Sequence, residues 1–218
     1  MTKTTKIVKK CLKNNSNKVK VNRRFLKKVI FNLSHSGIKP EDLSDNYYIA
    51  TLDSKERNTT NLFLANGFSK RNILAIEEND DVAKSHFKAN IPCHNGKLSS
   101  FSDDANDVFY SKTPNNYRNA YALAFNFDMW GQICKQSKEI LPTIKKTTFK
   151  RGSILSFTFC RGRISIEKHK KDKEIFLDDL IEEMKKKGFC IKFVSSLKYA
   201  GDGEKRGSPM EWFMYEIV

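Results

Sequence analysis

The chain has 218 residues, of which 39% are hydrophobic and 16 are phenylalanine, and its formal net charge is +15. This length and apolar content predict one sizeable α/β domain with an extension. No apolar run approaches the roughly 20 residues that span a bilayer, and the basic N-terminus has no apolar segment behind it, which excludes a secretory signal. We therefore expect an intracellular protein, soluble in the cytoplasm or associated with nucleic acid, with no membrane partner.

Cysteine and histidine spacing excludes the common metal sites. The cysteines are odd in number, widely scattered and form no Cys-x-x-Cys pair, so neither a zinc site nor a disulfide framework is expected. The histidines show no ligand spacing either, and we predict no metal site. The residues concerned are Cys11, Cys93, Cys134, Cys160, Cys190, His35, His86, His94 and His169.

The positive charge is concentrated at the N-terminus. Residues 1–40 contain 12 Lys/Arg and no Asp/Glu, whereas the remainder contains 28 basic and 25 acidic residues. A nearly balanced domain with a basic arm favours polyanions, because lysine and arginine neutralise phosphates and release counterions. Nucleic acid, DNA or RNA, is the favoured partner. An anionic membrane surface and a solubilising tail are the alternatives.

The first 40 residues are predicted to be an arm that ends in a helix. Residues 1–20 are polar and basic with little periodicity, which predicts a disordered or loosely held segment. In residues 22–34 apolar residues recur at helical spacing, which predicts a basic amphipathic helix. Two roles stay open for it: covering the domain core, or binding substrate through its basic residues. Those residues are Arg23, Arg24, Lys27 and Lys28.

Residues 41–218 are predicted to form the folded domain. Continuous apolar strands that alternate with helices predict a parallel sheet covered on both faces. The last two strands have no helix between them and should pair as an antiparallel hairpin. In chain order the predicted strands are Tyr47–Leu52, Ile73–Ile76, one within IPCHNGKL, Tyr121–Phe127, Ser153–Cys160, Cys190–Leu197 and Glu211–Val218. The predicted helices are NLFLANGF, capped by Asn58 or Thr59, DDVAKSHFKAN, QICKQSKEILPTIKK as far as Pro142, and Glu174–Lys187.

The segment NILAIEENDD, residues 72–81, is the most informative for function. Its apolar run ends abruptly in Glu77 and Glu78, and a helical pattern follows. A buried strand with a carboxylate at its carboxyl end is how open α/β sheets hold the ribose hydroxyls of a nucleotide-like cofactor. The alternative is a strand that ends in a polar turn. Of the two glutamates, Glu77 is favoured because it follows the apolar run directly.

This order of elements resembles the class I S-adenosylmethionine-dependent methyltransferases over roughly residues 45–218. The resemblance implies a doubly wound, mostly parallel seven-stranded sheet with a C-terminal antiparallel hairpin, and S-adenosylmethionine as cofactor. It implies that Asp53 and Glu77 end the first two strands at the cofactor, with Glu77 on the ribose, and that Ser99 lies near the adenine amine. It also implies that Asn126 and Asp128, at the end of the fourth strand, face the methionine part of the cofactor and the acceptor.

The loop after the first strand departs from the family pattern. It reads DSKERNTTN, without the glycines that let backbone approach a cofactor closely. Asn58 and Thr59, with Thr60, are predicted to supply donors at the helix N-terminus instead. No G-x-G-x-x-G occurs anywhere in the chain, which argues against a nicotinamide or flavin enzyme of the Rossmann type.

The segment FNFDMWG is loosely similar to the Asp/Asn-Pro-Pro-aromatic motif of methyltransferases that act on amino groups of nucleic acids. Asn126 or Asp128 would accept a hydrogen bond from an exocyclic amine, and Trp130 would stack on a displaced base. Both prolines are missing. The alternative is that Trp130 packs in a strand-to-helix turn.

A second basic segment, RGRISIEKHKKDK, follows the fifth strand on the edge where such sheets bind ligands. Arg161 and Arg163 are predicted to meet phosphates there, unless the segment is a solvated loop. The sequence thus favours a methyltransferase that acts on nucleic acid. The alternative is a catalytically inactive module of the same fold that binds nucleic acid, either alone or beside a protein partner subunit. Methylation of a protein or a small molecule also stays open.

Overall fold

The structure is a computed structural model that describes residues 16–101, 109–110, 120–129, 131–200 and 209–218. Its centre is one eight-stranded sheet in the order β4-β3-β2-β1-β5-β6-β8-β7. Neighbouring strands among β3, β2, β1, β5 and β6 are parallel, whereas β4 and β8 run antiparallel to their neighbours. The strands are β1 (Tyr47–Thr51), β2 (Ile73–Glu77), β3 (Cys93–Asn95), β4 (Phe109–Tyr110), β5 (Tyr121–Asp128), β6 (Ile154–Cys160), β7 (Ile191–Ala200) and β8 (Pro209–Ile217).

The predicted doubly wound architecture is confirmed. The seven predicted strands are present, β7 and β8 form the antiparallel hairpin, and the two-residue strand β4 adds an eighth at the edge. Helices cover both faces of the sheet, because the central strands β1, β2, β5 and β6 are buried on both sides. The helices are α1 (Ser16–His35), α2 (Asn58–Leu64), α3 (Asp80–Lys88), α4 (Ile133–Lys146) and α5 (Ile166–Lys186).

Helix α1 covers the core on the face that it shares with α2 and α3. Its buried stripe includes Val21, Phe25 and Val29, each at most 2% exposed, and the Phe25 ring meets Phe63 of α2 edge-on at 5.6 Å. At the margin of this stripe, Lys28 pairs with Glu216 of β8 at 2.9 Å. Helix α1 therefore has the first of the two roles that stayed open for it, which is to cover the domain core.

The expectation of a loosely held segment is wrong for residues 16–20, which are helical. The helix begins six residues before the predicted start at residue 22, and Val21, just outside the predicted range, is buried in the core. Residues 1–15, which the same expectation covered, lie outside the described part of the chain.

On the opposite face, phenylalanines from β5 and β6 stack in a row beneath α4 and α5. The Phe125 and Phe127 rings lie parallel with centroids 4.1 Å apart, and Phe127 stacks on Phe157 at 5.1 Å. Phe176 of α5 meets Phe157 edge-on at 5.3 Å. The end of β5, where Asp128 follows Phe127, is therefore held by a rigid aromatic layer.

Two helix boundaries differ from the predicted ones. Helix α4 continues past Pro142 to Lys146, because burial of Ile140 and Ile144 on either side offsets the hydrogen bond that proline cannot donate. Helix α5 begins at Ile166 and not at Glu174, so most of the predicted basic loop is helical. Its start is fixed by Ser165, whose Oγ accepts the backbone N–H of Lys168 at 3.1 Å.

In the described ranges, no helix has the length and apolar character needed to cross a bilayer. The same ranges contain no cluster of three or more His, Cys, Asp or Glu side chains that would hold a metal ion.

Candidate functional site

Four of the residues predicted from the sequence meet at one cleft on the carboxyl edge of the sheet. The cleft has a volume of about 720 Å³ and is lined by Asp53, Asn58, Glu77 and Asp128, which follow or end β1, β2 and β5. Parallel strands deliver their carboxyl ends to the same edge, which is why residues distant in sequence converge here. Glu78, which sequence analysis weighed against Glu77, also lines the cleft. The other lining residues are Lys18, Leu52, Ser54, Glu56, Ile76, Met129 and Gln136.

Asp53 caps helix α2 from the end of β1. Its carboxylate accepts the backbone N–H of Thr60 at 2.7 Å and that of Thr59 at 3.4 Å. The prediction that Asn58 or Thr59 caps the helix is therefore wrong. The Asp53 carboxylate instead accepts hydrogen bonds from two backbone N–H groups that have no partner within the helix. The backbone N–H groups of Thr59 and Thr60, which were predicted to bind a cofactor, donate to Asp53 in this structure.

The loop between Asp53 and α2 makes its turn without glycine. Arg57 has a left-handed backbone with φ of 53°, a conformation that glycine adopts most readily. The guanidinium donates to the Ser85 carbonyl at 2.8 Å, which fixes the loop against α3. Asn58 lines the cleft, and its buried Oδ1 has no hydrogen-bond partner within the described ranges.

Burial raises the pKa of Asp53 from its ordinary value of 3.8 to about 6, although hydrogen bonds from Thr60 and Thr59 act to lower it. The native state therefore binds this proton more tightly than the unfolded chain does. The stabilisation that follows is fully present below about pH 4 and is lost as the pH rises through 6. Above pH 6 the cleft gains one more negative charge.

Replacing Asp53 by asparagine should remove this part of the pH dependence of stability. A shift of about two pKa units corresponds to about 3 kcal/mol, so relative to Asp53→Asn the native chain should lose about that much unfolding free energy between pH 4 and pH 7. Urea unfolding at both pH values measures it. Asp42→Asn, at an exposed site, is the matched control, and parallel pH profiles of native chain and Asp53→Asn would contradict the shifted pKa.

Glu77 ends β2 and projects into the cleft from the side opposite Asp128. Its Oε1 accepts the backbone N–H of Asn79 at 2.7 Å, which orients the carboxylate. Asn79 in turn caps α3, since its Oδ1 accepts the N–H groups of Asp81 and Val82. The carboxylate is therefore held by a fixed turn and stays half-exposed to the cleft.

Asp128 ends β5 and forms an ion pair with Lys18 of α1. The Asp128 side chain is 8% exposed and the Lys18 side chain 34%, so the lysine lies over the aspartate at the mouth of the cleft. Sequence analysis did not single out Lys18, because residues 1–20 have too little apolar periodicity to place it on a helix.

Three further predicted residues lie apart from the cleft lining. Asn126 is buried two residues before Asp128, and its Oδ1 accepts the hydroxyl of Ser156 at 2.9 Å. Ser99 lies against α4, where its N–H donates to Glu139 at 3.0 Å. Thr59 is buried at the start of α2. Their predicted roles stay predictions, and Trp130 lies outside the described residues.

The predicted substrate-binding residues lie at two places. Arg23, Arg24 and Lys27 are exposed on α1, whereas Lys28 is half-buried beside Glu216. Arg161 lines a second, separate pocket near the start of α5, and Arg163 is exposed beside it in sequence.

The cleft is acidic although the chain is strongly basic. Within the part of the chain that the structure describes, five carboxylates line it, from Asp53, Glu56, Glu77, Glu78 and Asp128, against the single ammonium group of Lys18. Its apolar lining comes from Leu52, Ile76 and Met129. A concave site with apolar walls and this charge favours a cationic organic ligand and disfavours a polyphosphate.

The strand order and directions, with the C-terminal hairpin, are those that the resemblance to the class I S-adenosylmethionine-dependent methyltransferases implies. No protein-family model and no curated protein matches the sequence. Among solved structures, the chain is similar to TYW2 of Pyrococcus horikoshii in complex with MeSAdo, at 10% identity and a TM-score of 0.49 over 88% of this chain and 62% of that one.

Two further solved structures are similar to the chain. One is a candidate transferase of Pyrococcus horikoshii, at 8% identity and a TM-score of 0.48 over 83% of this chain and 58% of that one. The other is a SAM-dependent methyltransferase of Methanosarcina mazei, at 11% identity and a TM-score of 0.46 over 80% of this chain and 93% of that one. The chain spans about three fifths of the length of the two Pyrococcus proteins.

Proposed function

We propose that the protein is a methyltransferase that binds S-adenosylmethionine in the acidic cleft and acts on nucleic acid. The observation that supports the cofactor best is the charge of the cleft, five carboxylates against one lysine at the carboxyl ends of β1, β2 and β5. S-adenosylmethionine has a sulfonium and an ammonium group for one carboxylate, so it fits a negative field that would repel ATP or a dinucleotide.

The residues of the cleft suit the parts of this cofactor. Glu77, oriented by Asn79, is placed at a strand end to accept hydrogen bonds from two ribose hydroxyls. Lys18 is the only cation among the residues that line the cleft in the described structure, and it would pair with the carboxylate of the methionine part. The cofactor supplies an activated methyl group, so the protein needs chiefly to hold an acceptor in line with it and to exclude water.

The substrate class is inferred from the charge outside the cleft. The chain has 40 Lys/Arg against 25 Asp/Glu, and Arg23, Arg24 and Lys27 are exposed on α1, the helix that also places Lys18 at the cleft mouth. A basic surface next to an acidic cleft would hold a phosphate backbone outside while a single base enters. Arg24 and Lys27 would act on affinity and on its salt dependence, and not on the choice of base.

A second candidate is a catalytically inactive module that binds nucleic acid. Two contacts favour it. Asp53 takes the N–H groups at the start of α2 that a cofactor would otherwise use, and the Asn126 amide is bonded to Ser156 inside the sheet. In this case the fold would serve only to present the basic surface.

Calorimetric titration with S-adenosylmethionine, neutral adenosine and ATP tests the cofactor. The three share adenine and ribose, so differences between them report the charge of the cleft. We expect S-adenosylmethionine to bind, with an affinity that falls as the salt concentration rises, and ATP to give no measurable heat at the same concentration. Absence of S-adenosylmethionine binding at millimolar ligand, or tighter binding of ATP, would overturn the proposal. Transfer of a labelled methyl group to DNA or RNA then separates the enzyme from the inactive module.

A further inference from the structure

A second pocket lies on the same edge of the sheet as the acidic cleft but on the other side of β5. It has a volume of about 510 Å³ and forms where β6, β8 and β7 meet the first turns of α5. The backbone N–H of Arg161 donates to the Pro209 carbonyl at 2.9 Å, which closes the sheet beneath it. Because β5, β6 and β7 run in one direction, both pockets open at carboxyl ends of strands.

The charge of this pocket is opposite to that of the cleft. Among the described residues, four cationic side chains line it, from Arg161, Lys170, Lys173 and Lys198, against the single carboxylate of Glu211. Burial alone would raise the pKa of Glu211, but hydrogen bonds from Lys173 and His169 hold it below its ordinary value, so this carboxylate stays ionised. The net charge of the lining is therefore positive, and an anion is the ligand that it suits.

The floor of the pocket is a buried polar cluster. Glu211 is 5% exposed, and its two oxygens bind Lys173 at 2.7 Å and His169 at 2.9 Å. His169 is 7% exposed and lines the pocket, and within the described ranges its Nδ1 has no hydrogen-bond partner. An unpartnered ring nitrogen in a buried cluster is costly unless a ligand or water completes it.

The remaining wall is apolar. Ile166, Tyr199 and Met210 line it, and Ile166 is 53% exposed although it is a large hydrophobic residue. Inorganic phosphate needs no such surface, whereas a nucleoside phosphate has a flat ring to lay against it and a charged group for the lysines. The volume falls within the usual range for small-molecule sites, roughly 300–1,000 Å³.

We propose that this pocket binds a nucleotide of the nucleic acid strand that flanks the acceptor base, with its phosphate on Lys170 and Lys198 and its base against Tyr199 and Met210. Neighbouring strands lie about 4.8 Å apart, so the end of β5 lies about 10 Å from the start of β8, two strands away. A stacked strand advances about 3.4 Å per nucleotide, which places the bound nucleotide within about three positions of the acceptor. This inference rests on the proposed function.

The test compares two double variants of the full chain. Lys170→Gln with Lys198→Gln removes two pocket charges, and Lys171→Gln with Lys192→Gln removes two exposed charges on the same helix and strand that do not line the pocket. Binding of a fluorescent single-stranded 12-mer, as RNA and as DNA, is measured by anisotropy over a salt series. The pocket variant should flatten the slope of log affinity against log salt by about 0.7, since both lysines contact one phosphate and each phosphate contact contributes about 0.7.

Equal slopes for the two double variants would overturn the proposal, because the pocket lysines would then act only as surface charge. Titration with 5′-AMP and with inorganic phosphate tests the apolar wall: tighter binding of 5′-AMP, lost in the pocket variant, supports a nucleotide, and equal binding of the two overturns it. Binding of S-adenosylmethionine by the pocket variant should equal that of the native chain. If neither binds it, the cofactor proposal fails while the oligonucleotide comparison still reports on the pocket.

Discussion

A chain that begins at residue 41 should not fold. Helix α1 contributes five side chains to the core, none more than 4% exposed, so its removal uncovers one face of the sheet. Burying such a side chain contributes about 1.5–3 kcal/mol, which makes the loss about 10 kcal/mol. The whole unfolding free energy of a domain is about 5–15 kcal/mol. The five residues are Val21, Phe25, Leu26, Val29 and Leu33.

Shortening one buried side chain of α1 tests the same contribution to the unfolding free energy on a smaller scale. Phe25→Ala should lower the unfolding free energy by about 3–5 kcal/mol, because Phe25 is fully buried against Phe63. Arg24→Ala, one position away and exposed, should change it by less than about 0.5 kcal/mol. Urea unfolding followed by circular dichroism measures both. A chain from residue 41 that unfolds cooperatively, or a Phe25→Ala variant as stable as Arg24→Ala, would show that α1 is not part of the core.

Because the domain needs α1 to fold, nucleic-acid binding cannot be tested by removing the basic N-terminal residues. Deleting residues 1–40 would remove basic charge and unfold the domain at once, so a loss of binding would have two causes. Replacing both Arg24 and Lys27 by glutamine is the better test, because it removes charge from the exposed side of α1 and leaves the buried stripe intact.

The fold follows from the sequence because its strands are nearly all apolar. Runs such as YALAFNF in β5 and SILSFTFC in β6 are buried on both faces, and such strands belong in a parallel sheet between two layers of helices. Helix ends were predicted less well. The start of α5 depends on one hydroxyl, that of Ser165, and the passage of α4 through Pro142 depends on tertiary burial.

The candidate site could be predicted best where a strand end fixes the residue, and Asn58, at the start of α2, is the one predicted lining residue that is not at a strand end. Asp53, Glu77 and Asp128 each end or follow a strand, and all three line the cleft. Lys18 could not be placed, because its position depends on how α1 packs across the sheet and not on any local pattern. The contact of Asp53 with the start of α2 also escaped prediction, since it joins a strand end to a helix across a loop.

The opposite charges of the two pockets follow from this arrangement. Acidic residues gather at the ends of β1, β2 and β5, whereas Arg161, Lys170 and Lys198 surround the end of the sheet formed by β6, β8 and β7. A cationic cofactor and an anionic strand would therefore be directed to neighbouring places by electrostatics alone. Neither pocket would need to exclude the other ligand by shape.

Replacing Glu77 by glutamine should weaken S-adenosylmethionine binding by roughly 30-fold. The Glu77 carboxylate accepts from Asn79 through Oε1, so a glutamine that keeps this contact would turn its amide NH₂ toward the cleft, where two ribose hydroxyls need an acceptor. Hydrogen bonds to a charged group contribute about 1.5–3 kcal/mol, which sets the size of the loss. Adenosine should lose affinity by the same factor, because it has the same ribose.

Glu78→Gln is the matched control for this prediction. Glu78 also lines the cleft, is exposed and undergoes the same change of charge, so it reproduces the long-range electrostatic effect without the proposed ribose contact. We expect less than about a fivefold change, since a charge several ångströms away in a solvated cleft contributes about 1 kcal/mol or less. Calorimetric titration of both variants with both ligands decides between the two glutamates. A larger loss of affinity for Glu78→Gln would assign the ribose contact to Glu78. Equal small losses would show that Glu77 contributes only to the negative charge of the cleft.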